Sequence, residues 1–388
     1  MADRRRVSAM TPLRIVLLLG GLFAACGGAS SSVKPNSIEV EVILTPLANP
    51  RGVAVTADGG LLIAEAGTGD DAVDVALHTG RLSKFVDRND DGDFVDPGEV
   101  EPWFEHLPSY NAINIFATGR DEVSGPSDVL VLDDGRVFLS VDGGFEAMAL
   151  FEISPQGSMG RNLSQRSNMT GIGVDRLQRR LYVTESMLNR LIEIELDDAA
   201  QREIIVFDAL DSGQQAVPAG LAVDPDTGEI LVALFSGVAA DGDGGFLPFV
   251  LGDAKVVRVN PETGGTIDEI TGLTTAVDVA VDGAGNIFVV EMAAEPAELF
   301  VGRVDLFDTD ADPRHGGYLR FSGKVTLYPA GGGPPQVLAD GLDAPTNITV
   351  GPDGALYISL GQGTPGRPIP GPAGPITIVG QVLRITGY

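Results

Sequence analysis

The chain has 388 residues, a formal net charge of −28, three His and one Cys. That length admits one large domain or two smaller ones, and the acidic balance repels phosphate backbones and argues against nucleic-acid binding. A single Cys excludes an internal disulfide framework, and a single Trp leaves no evident aromatic platform for carbohydrate.

Arg4, Arg5, Arg6 and Arg14 precede an apolar run over 15–25. The run is too short to span a bilayer and reads as a secretory signal segment. It ends in Leu22-Phe23-Ala24-Ala25-Cys26, which is similar to the bacterial lipobox. Residues 1–25 are therefore expected to be removed and Cys26 to be acylated, with plain secretion as the other reading. Residues 26–37 have the composition of a flexible tether. The expected location is the bacterial cell envelope, outside the cytoplasm, with the membrane as partner through the lipid.

Ile38-Glu39-Val40-Glu41-Val42-Ile43-Leu44 alternates apolar and acidic residues, a strand pattern expected to bury Ile38, Val40, Val42 and Leu44. A hairpin follows over 50–65, with Val53 and Val55 on one arm and the turn Ala57-Asp58-Gly59-Gly60. The same design returns over 126–140, 169–184, 218–233, 276–290 and 345–359. Six copies of one unit are an internal repeat.

Each copy continues into a third strand, near 81–86, 149–153, 191–196, 255–259, 324–328 and 381–385. A fourth is marked near 101–104, 203–207, 266–270 and 336–339, and weakly near 161–164. Four antiparallel strands per unit, repeated radially, make an all-β, six-bladed β-propeller over residues 38–388. The last copy lacks its fourth strand. The N-terminal strand over 38–44 supplies it, closing the ring and removing two bare sheet edges. The loops between first and second strands are short. Those between second and third strands, over 66–80, 235–254, 292–323 and 361–380, are long, and the segment 105–125 leaves on the same face. Long loops on one end of a rigid scaffold are where binding resides.

Several of these hairpins resemble a known family. Pro218-Ala219-Gly220-Leu221-Ala222-Val223, Phe246-Leu247-Pro248-Phe249, Asp278-Val279-Ala280-Val281 and Gly285-Asn286-Ile287-Phe288 are similar, in that order, to the ScyD/ScyE family of NHL/SMP-30-like propellers, as is Ala64-Glu65-Ala66-Gly67. The resemblance covers residues 45–387. It implies a secreted propeller and carries over no catalytic residues.

Two constellations bear chemistry. In the segment 87–99, Asp87, Asn89 and Asp91 stand at alternate positions before Gly92, followed by Asp93, Asp96 and Glu99. Hard oxygen ligands at i, i+2 and i+4 suit Ca2+, although Glu99 stands one place beyond the closing acid of an EF-hand loop and strands, not helices, flank it. The other reading is a solvated hairpin tip. The acidic runs 241–245 and 308–312 read as flexible loops. His78, His106 and His315 fall in no catalytic motif.

The second constellation emerges from aligning the repeats. Equivalent first-strand positions carry Gly52, Asp128, Gly171, Gly220, Asp278 and Asn347, and second strands end in Glu65, Glu185 and Glu291 in blades one, three and five. All six polar residues are expected at the channel mouth on the long-loop face, with the three Glu approaching one another. A second divalent cation there would make a lactonase-like or esterase-like hydrolase. Otherwise these groups only satisfy strand ends. The readings of the whole are a monomeric module binding an unknown small molecule or protein, a metal-dependent hydrolase, or a calcium-stabilised scaffold.

Overall fold

The computed structural model describes residues 37–69, 74–111, 121–142, 149–154, 157–164, 169–236, 250–295 and 318–388. Cys26, the leader and the tether lie outside them, as do the acidic runs 241–245 and 308–312 and the segment Phe246-Leu247-Pro248-Phe249. No described helix is long and apolar enough to cross a membrane.

Six four-stranded antiparallel sheets form the blades of a propeller. Blade one is Pro50–Val55, Leu61–Glu65, Gly80–Phe85 and Val100–Leu107. The first strands of blades two to six, which line the axis, are Pro126–Val131, Met169–Val174, Pro218–Val223, Ala276–Val281 and Asn347–Val350. The turn of blade one uses Gly59 at φ 84°, where a left-handed backbone costs a glycine nothing; blade three spends the same conformation on Gln178 at φ 52°. The weakly marked fourth strand of blade two forms as Met159–Ser164.

Blade six takes its outer strand from the N-terminus. Glu39–Leu47 pairs antiparallel with Gly380–Thr386, with Val40 opposite Ile385 and Val42 opposite Leu383. The expected burial needs correction. Val40 and Val42 are 39% and 43% exposed, whereas Ile43 and Leu44 are buried together with Leu47. A register shift between Val42 and Leu44 breaks the alternation, so consecutive side chains turn inward.

The core lies between blades. Ile43, Leu44 and Val382 of blade six pack with Val53, Leu61 and Phe85 of blade one. Comparable clusters fill the other five junctions. Each blade buries both faces, which is why second strands such as Leu61–Glu65 and Ile230–Leu234 are buried along their whole length.

Candidate functional site at the propeller axis

The first strands converge on the axis, and their equivalent positions meet there. Asp128, Asp278 and Asn347, from blades two, five and six, are brought together. The Asn347 Nδ2 donates to Asp278 Oδ2 at 2.8 Å and to Asp128 Oδ1 at 3.3 Å. Its Oδ1 accepts the Val53 N–H of blade one at 2.9 Å, which fixes the amide's orientation.

The two carboxylates also reach across blade junctions. Asp128 Oδ2 accepts the Ile172 N–H of blade three, and Asp278 Oδ2 the Ile348 N–H of blade six, both at 2.8 Å. Each further caps the N–H of its own following residue. Gly220 completes the ring by having no side chain: a Cβ there would stand 1.7 Å from Asp278 Oδ1. Hydroxyls one strand out repeat the device. Ser140, Thr184 and Ser359 donate to the Thr170, Ala219 and Arg51 carbonyls of the next blade.

The cluster forms a septum across the channel. On the long-loop side is a pocket of about 60 Å³, lined by polar groups that include Arg51, Glu122, Thr170, Thr346 and Gln362. On the short-turn side is a chamber of about 260 Å³ walled by the edges of the six first strands, whose aliphatic side chains turn into the cores between blades. Asp278 is 3% exposed, and Asp128 touches the channel while protein surrounds it. Burial pushes the Asp128 carboxyl up to about 7, against the opposing pull of the N–H groups of Ile172 and Val129 and of the Arg51 charge. Burial, reinforced by the charge of Asp128, holds Asp278 well above the ordinary carboxylate range. Arg51 itself is tied to Asp142 at 3.3 Å.

The three glutamates are not at this site, which corrects the expectation that they approach one another. None lines either axial cavity. Each ends a second strand directly opposite a basic residue that opens the third strand of the same blade: Glu65 opposite Arg81, Glu185 opposite Arg190, Glu291 opposite Lys324. Glu65 binds Arg81 Nε at 2.7 Å, the Ser83 hydroxyl at 2.8 Å and the Ala48 N–H at 2.9 Å. Glu185 pairs with Arg190, and Glu291 with Lys324 at 2.9 Å and the Thr274 N–H at 2.7 Å. The repeat alignment contained part of the signal: a basic residue stands at the matching third-strand position in these three blades, and also in blade four, where Lys255 faces Leu234.

A second polar cluster escaped the sequence because its members come from distant loops. Asp121 and Arg367, both fully buried, pair at 2.9 Å, and Thr364 gives Asp121 its N–H and its hydroxyl at 2.7 Å. Arg320 holds Asp343 at 2.7 Å with two nitrogens and donates to the Gln362 carbonyl. The Gly363 N–H reaches Asn49 Oδ1 at 2.7 Å. These bonds strap the blade-six loop over the first blades and set Glu122 and Gln362 on the mouth pocket's rim.

The acidic segment 87–99 lies on the other face, between the third and fourth strands of blade one. Gly92, at φ 90°, makes the sharp turn. Asp87, Asn89, Asp91 and Asp93 accept N–H groups of Gly92, Asp91, Asp93 and Val95 in turn. The Asn89 Nδ2 bonds Asp96 Oδ2 at 2.6 Å. The buried Glu99 carboxylate accepts from the Arg88 and Asp96 N–H groups, both at 3.0 Å. Asp87 keeps one buried oxygen without a hydrogen-bond partner among the described residues. Phe94 is buried and its N–H binds the Ile43 carbonyl of the closing strand at 2.9 Å, so the loop seals the junction of blades six and one. Among the described residues, no three acidic, His or Cys side chains converge as a formed metal-ion site.

A family model described as "SMP-30/Gluconolactonase/LRE-like region" matches residues 28–277. No curated protein matches the chain. Among solved structures, it is similar to a protein of unknown function from Bacteroides thetaiotaomicron, at 11% identity over 90% of this chain and 76% of that one, with a TM-score of 0.54. It is similar also to a Trichoderma reesei protein of carbohydrate-active enzyme family AA12, at 11% identity over 90% and 96%, with a TM-score of 0.52. A gluconolactonase from Xanthomonas campestris matches at 16% identity over 62% and 68%, with a TM-score of 0.39. The first two are likenesses of fold alone.

The axial acids make stability depend on pH. Between about pH 4, where an unfolded Asp releases its proton, and about 7, the folded chain retains a proton that the unfolded chain has lost. Stability from Asp128 is thus fully present below pH 4 and is lost as pH rises through 7. In thermal melts from pH 5 to 8, Asp128→Asn should flatten the fall in melting temperature relative to wild type. An identical pH profile in the variant would contradict the assignment.

Proposed function

The chain belongs to the SMP-30/gluconolactonase/LRE-like family, and from that premise we propose that it is an envelope-anchored propeller that binds a small polar ligand at the long-loop mouth of its channel. Within the family, the ordered hairpins quoted above support a kinship with ScyD/ScyE-like proteins. The observation that carries the reading is the mouth pocket itself: two buried carboxylates at its floor, Arg51 at its side and Glu122 and Gln362 on its rim. Opposite charges and an amide in one small pocket suit a ligand with both donors and acceptors. Arg51→Gln should weaken the best hit of a metabolite screen by about tenfold or more, the usual scale for losing a charged hydrogen bond. An unchanged dissociation constant would remove the mouth from consideration.

A hydrolase reading has one observation in its favour, a carboxyl at the pocket floor poised near neutral pH, as a general base requires. The cluster does not fit a divalent cation as it stands. Asn347 turns its NH2 toward both acids, and its oxygen is engaged by the Val53 N–H. Turnover of a lactone and ester panel, lost in Asp128→Asn, would replace the binding reading with this one.

We further propose that the segment 87–99 takes up Ca2+. The alternating Asp87, Asn89 and Asp91 fit a hard cation, and the orphaned buried oxygen of Asp87 would gain a partner. Bound there, the ion would stiffen the loop that seats Phe94 against the closing strand. Calcium should raise the melting temperature of the wild type and leave that of Asp87→Ala/Asp91→Ala unmoved. A wild type insensitive to calcium and chelator would defeat this assignment.

The anchor rests on Cys26 at the end of the apolar leader. Cys26→Ser should abolish incorporation of labelled fatty acid and release the domain from the membrane fraction. Equal membrane recovery of the two proteins, with no label in the wild type, would overturn it.

A further inference from the structure

The closing strand fixes the face from which the N-terminal tether leaves. Gly380–Thr386 begins on the long-loop face, because the loop 361–380 feeds it. Glu39 pairs with Thr386, at the far end of that strand. Ile38 and Tyr388 pack against one cluster, and the Tyr388 hydroxyl donates to the Gly354 carbonyl in the short turn of blade six. The tether 26–37 therefore joins the domain at the short-turn face. As a flexible coil it reaches roughly 20 Å root-mean-square.

Five of the six turns on that face carry no basic and no large aliphatic residue: 57–60, 133–135, 224–228, 282–286 and 351–354. The turn of blade three, Asp175-Arg176-Leu177-Gln178-Arg179, departs from them. Leu177 is 71% exposed, between the exposed Arg176 and Arg179. The Arg176 guanidinium donates to the Asp226 carbonyl of blade four at 2.8 Å, and Gln178 Oε1 accepts the Asp133 N–H of blade two at 3.1 Å. The turn is thus braced from both sides while Leu177 stands in water. Asp175 spends one oxygen on the N–H groups of Arg179 and Arg180. Arg180 and Arg136 beside it are taken by Glu195 and Asp134, whereas Arg176 and Arg179 have no carboxylate within ion-pair distance among the described residues. A lone exposed aliphatic residue is ordinary. One carried by a braced turn between two such guanidiniums, on the face that a lipid tether leaves, matches the boundary between anionic headgroups and acyl chains.

Blade three stands across the ring from blade six. Tether and turn therefore meet a surface at opposite sides of the face, and two such points lay it flat. The acidic balance of the chain opposes approach to an anionic surface, so the lipid must supply it. A tether of this reach holds the turn near the bilayer at an effective concentration on the order of millimolar, so a weak contact suffices. The acidic segment 87–99 shares the face at blade one, and its repulsion confines the contact to the turn of blade three.

We propose that the short-turn face lies against the bilayer, with Leu177 entering the headgroup boundary, Arg176 and Arg179 on anionic lipid phosphates, and the mouth pocket opening away from the membrane. The proposal rests on the reading of Cys26 as the lipid anchor and adds the orientation that an anchor alone does not set.

The test uses the chain from residue 26, whose Cys26 is the one thiol in the sequence. It is coupled to a maleimide lipid in vesicles of phosphatidylglycerol and a phosphatidylcholine brominated in its acyl chains. Because the lipid is attached chemically, the result is read independently of whether cells acylate Cys26. Leu177→Trp reports the proposed contact. Leu251→Trp, exposed on the long-loop face, controls for the affinity of Trp itself for interfaces. With the Trp103 signal of the parent chain subtracted, the bromolipid should quench Leu177→Trp and leave Leu251→Trp unchanged. Adding Arg176→Gln/Arg179→Gln, or replacing phosphatidylglycerol by phosphatidylcholine, should cut that quenching by about half or more. No quenching of Leu177→Trp, equal quenching at the two positions, or quenching indifferent to both the arginines and the anionic lipid would overturn the proposal.

Discussion

Everything in this molecule depends on closing six sheets around one axis without leaving a polar group stranded. The inner strands are too close for large side chains, yet their edge N–H groups must be satisfied across blade junctions. Three side chains do most of this. Asp128 reaches blade three, Asp278 reaches blade six, and Asn347 reaches blade one. Where no polar residue stands, glycine lets backbones meet directly, as Gly52 does against Asp128 and Gly220 against Asp278. The carboxylates most suggestive of chemistry are therefore also structural bonds, and their raised affinity for protons is the cost of placing them there.

Closure is reinforced at three radii. At the axis it is the amide bridge; one strand out it is the ring of Ser140, Thr184 and Ser359 hydroxyls. At the rim it is the strand Glu39–Leu47, whose buried Ile43, Leu44 and Leu47 fill the junction with blade one. Phe94 adds the acidic loop to that same junction, where the closing strand runs on into blade one. The strap from Asp121 to Arg367 then binds the blade-six loop to the first blades on the other face. Both charges of that pair are fully buried. Such pairs gain little net stability but are costly to separate, which favours one fixed loop arrangement at the mouth.

The glutamates of blades one, three and five show how a repeat can mislead. Their equivalent positions suggested a radial site, and radial symmetry does place them alike. It places Arg81, Arg190 and Lys324 alike too, and a cation one strand away within a blade outcompetes a cluster of like charges across the axis. The acids remaining at the centre are the two without such a neighbour.

The sequence by itself determined the blade count, the hairpins, the closing strand and the positions that meet at the axis. These follow from strand period, turn chemistry and repetition, which are local and survive without knowledge of contacts. It also marked the residues of the acidic loop by their spacing. Only the tertiary structure decided which way side chains turn after the shift near Val42, which glutamates pair within a blade, and that Asp121, Arg320, Asp343 and Arg367 form one rim. It alone divided the channel into a small mouth pocket and a larger chamber on either side of the axial acids. Those outcomes depend on register and on loops brought together across about 250 positions of chain, as in Asp121 and Thr364. No local pattern encodes that proximity, because it is created by closing the ring.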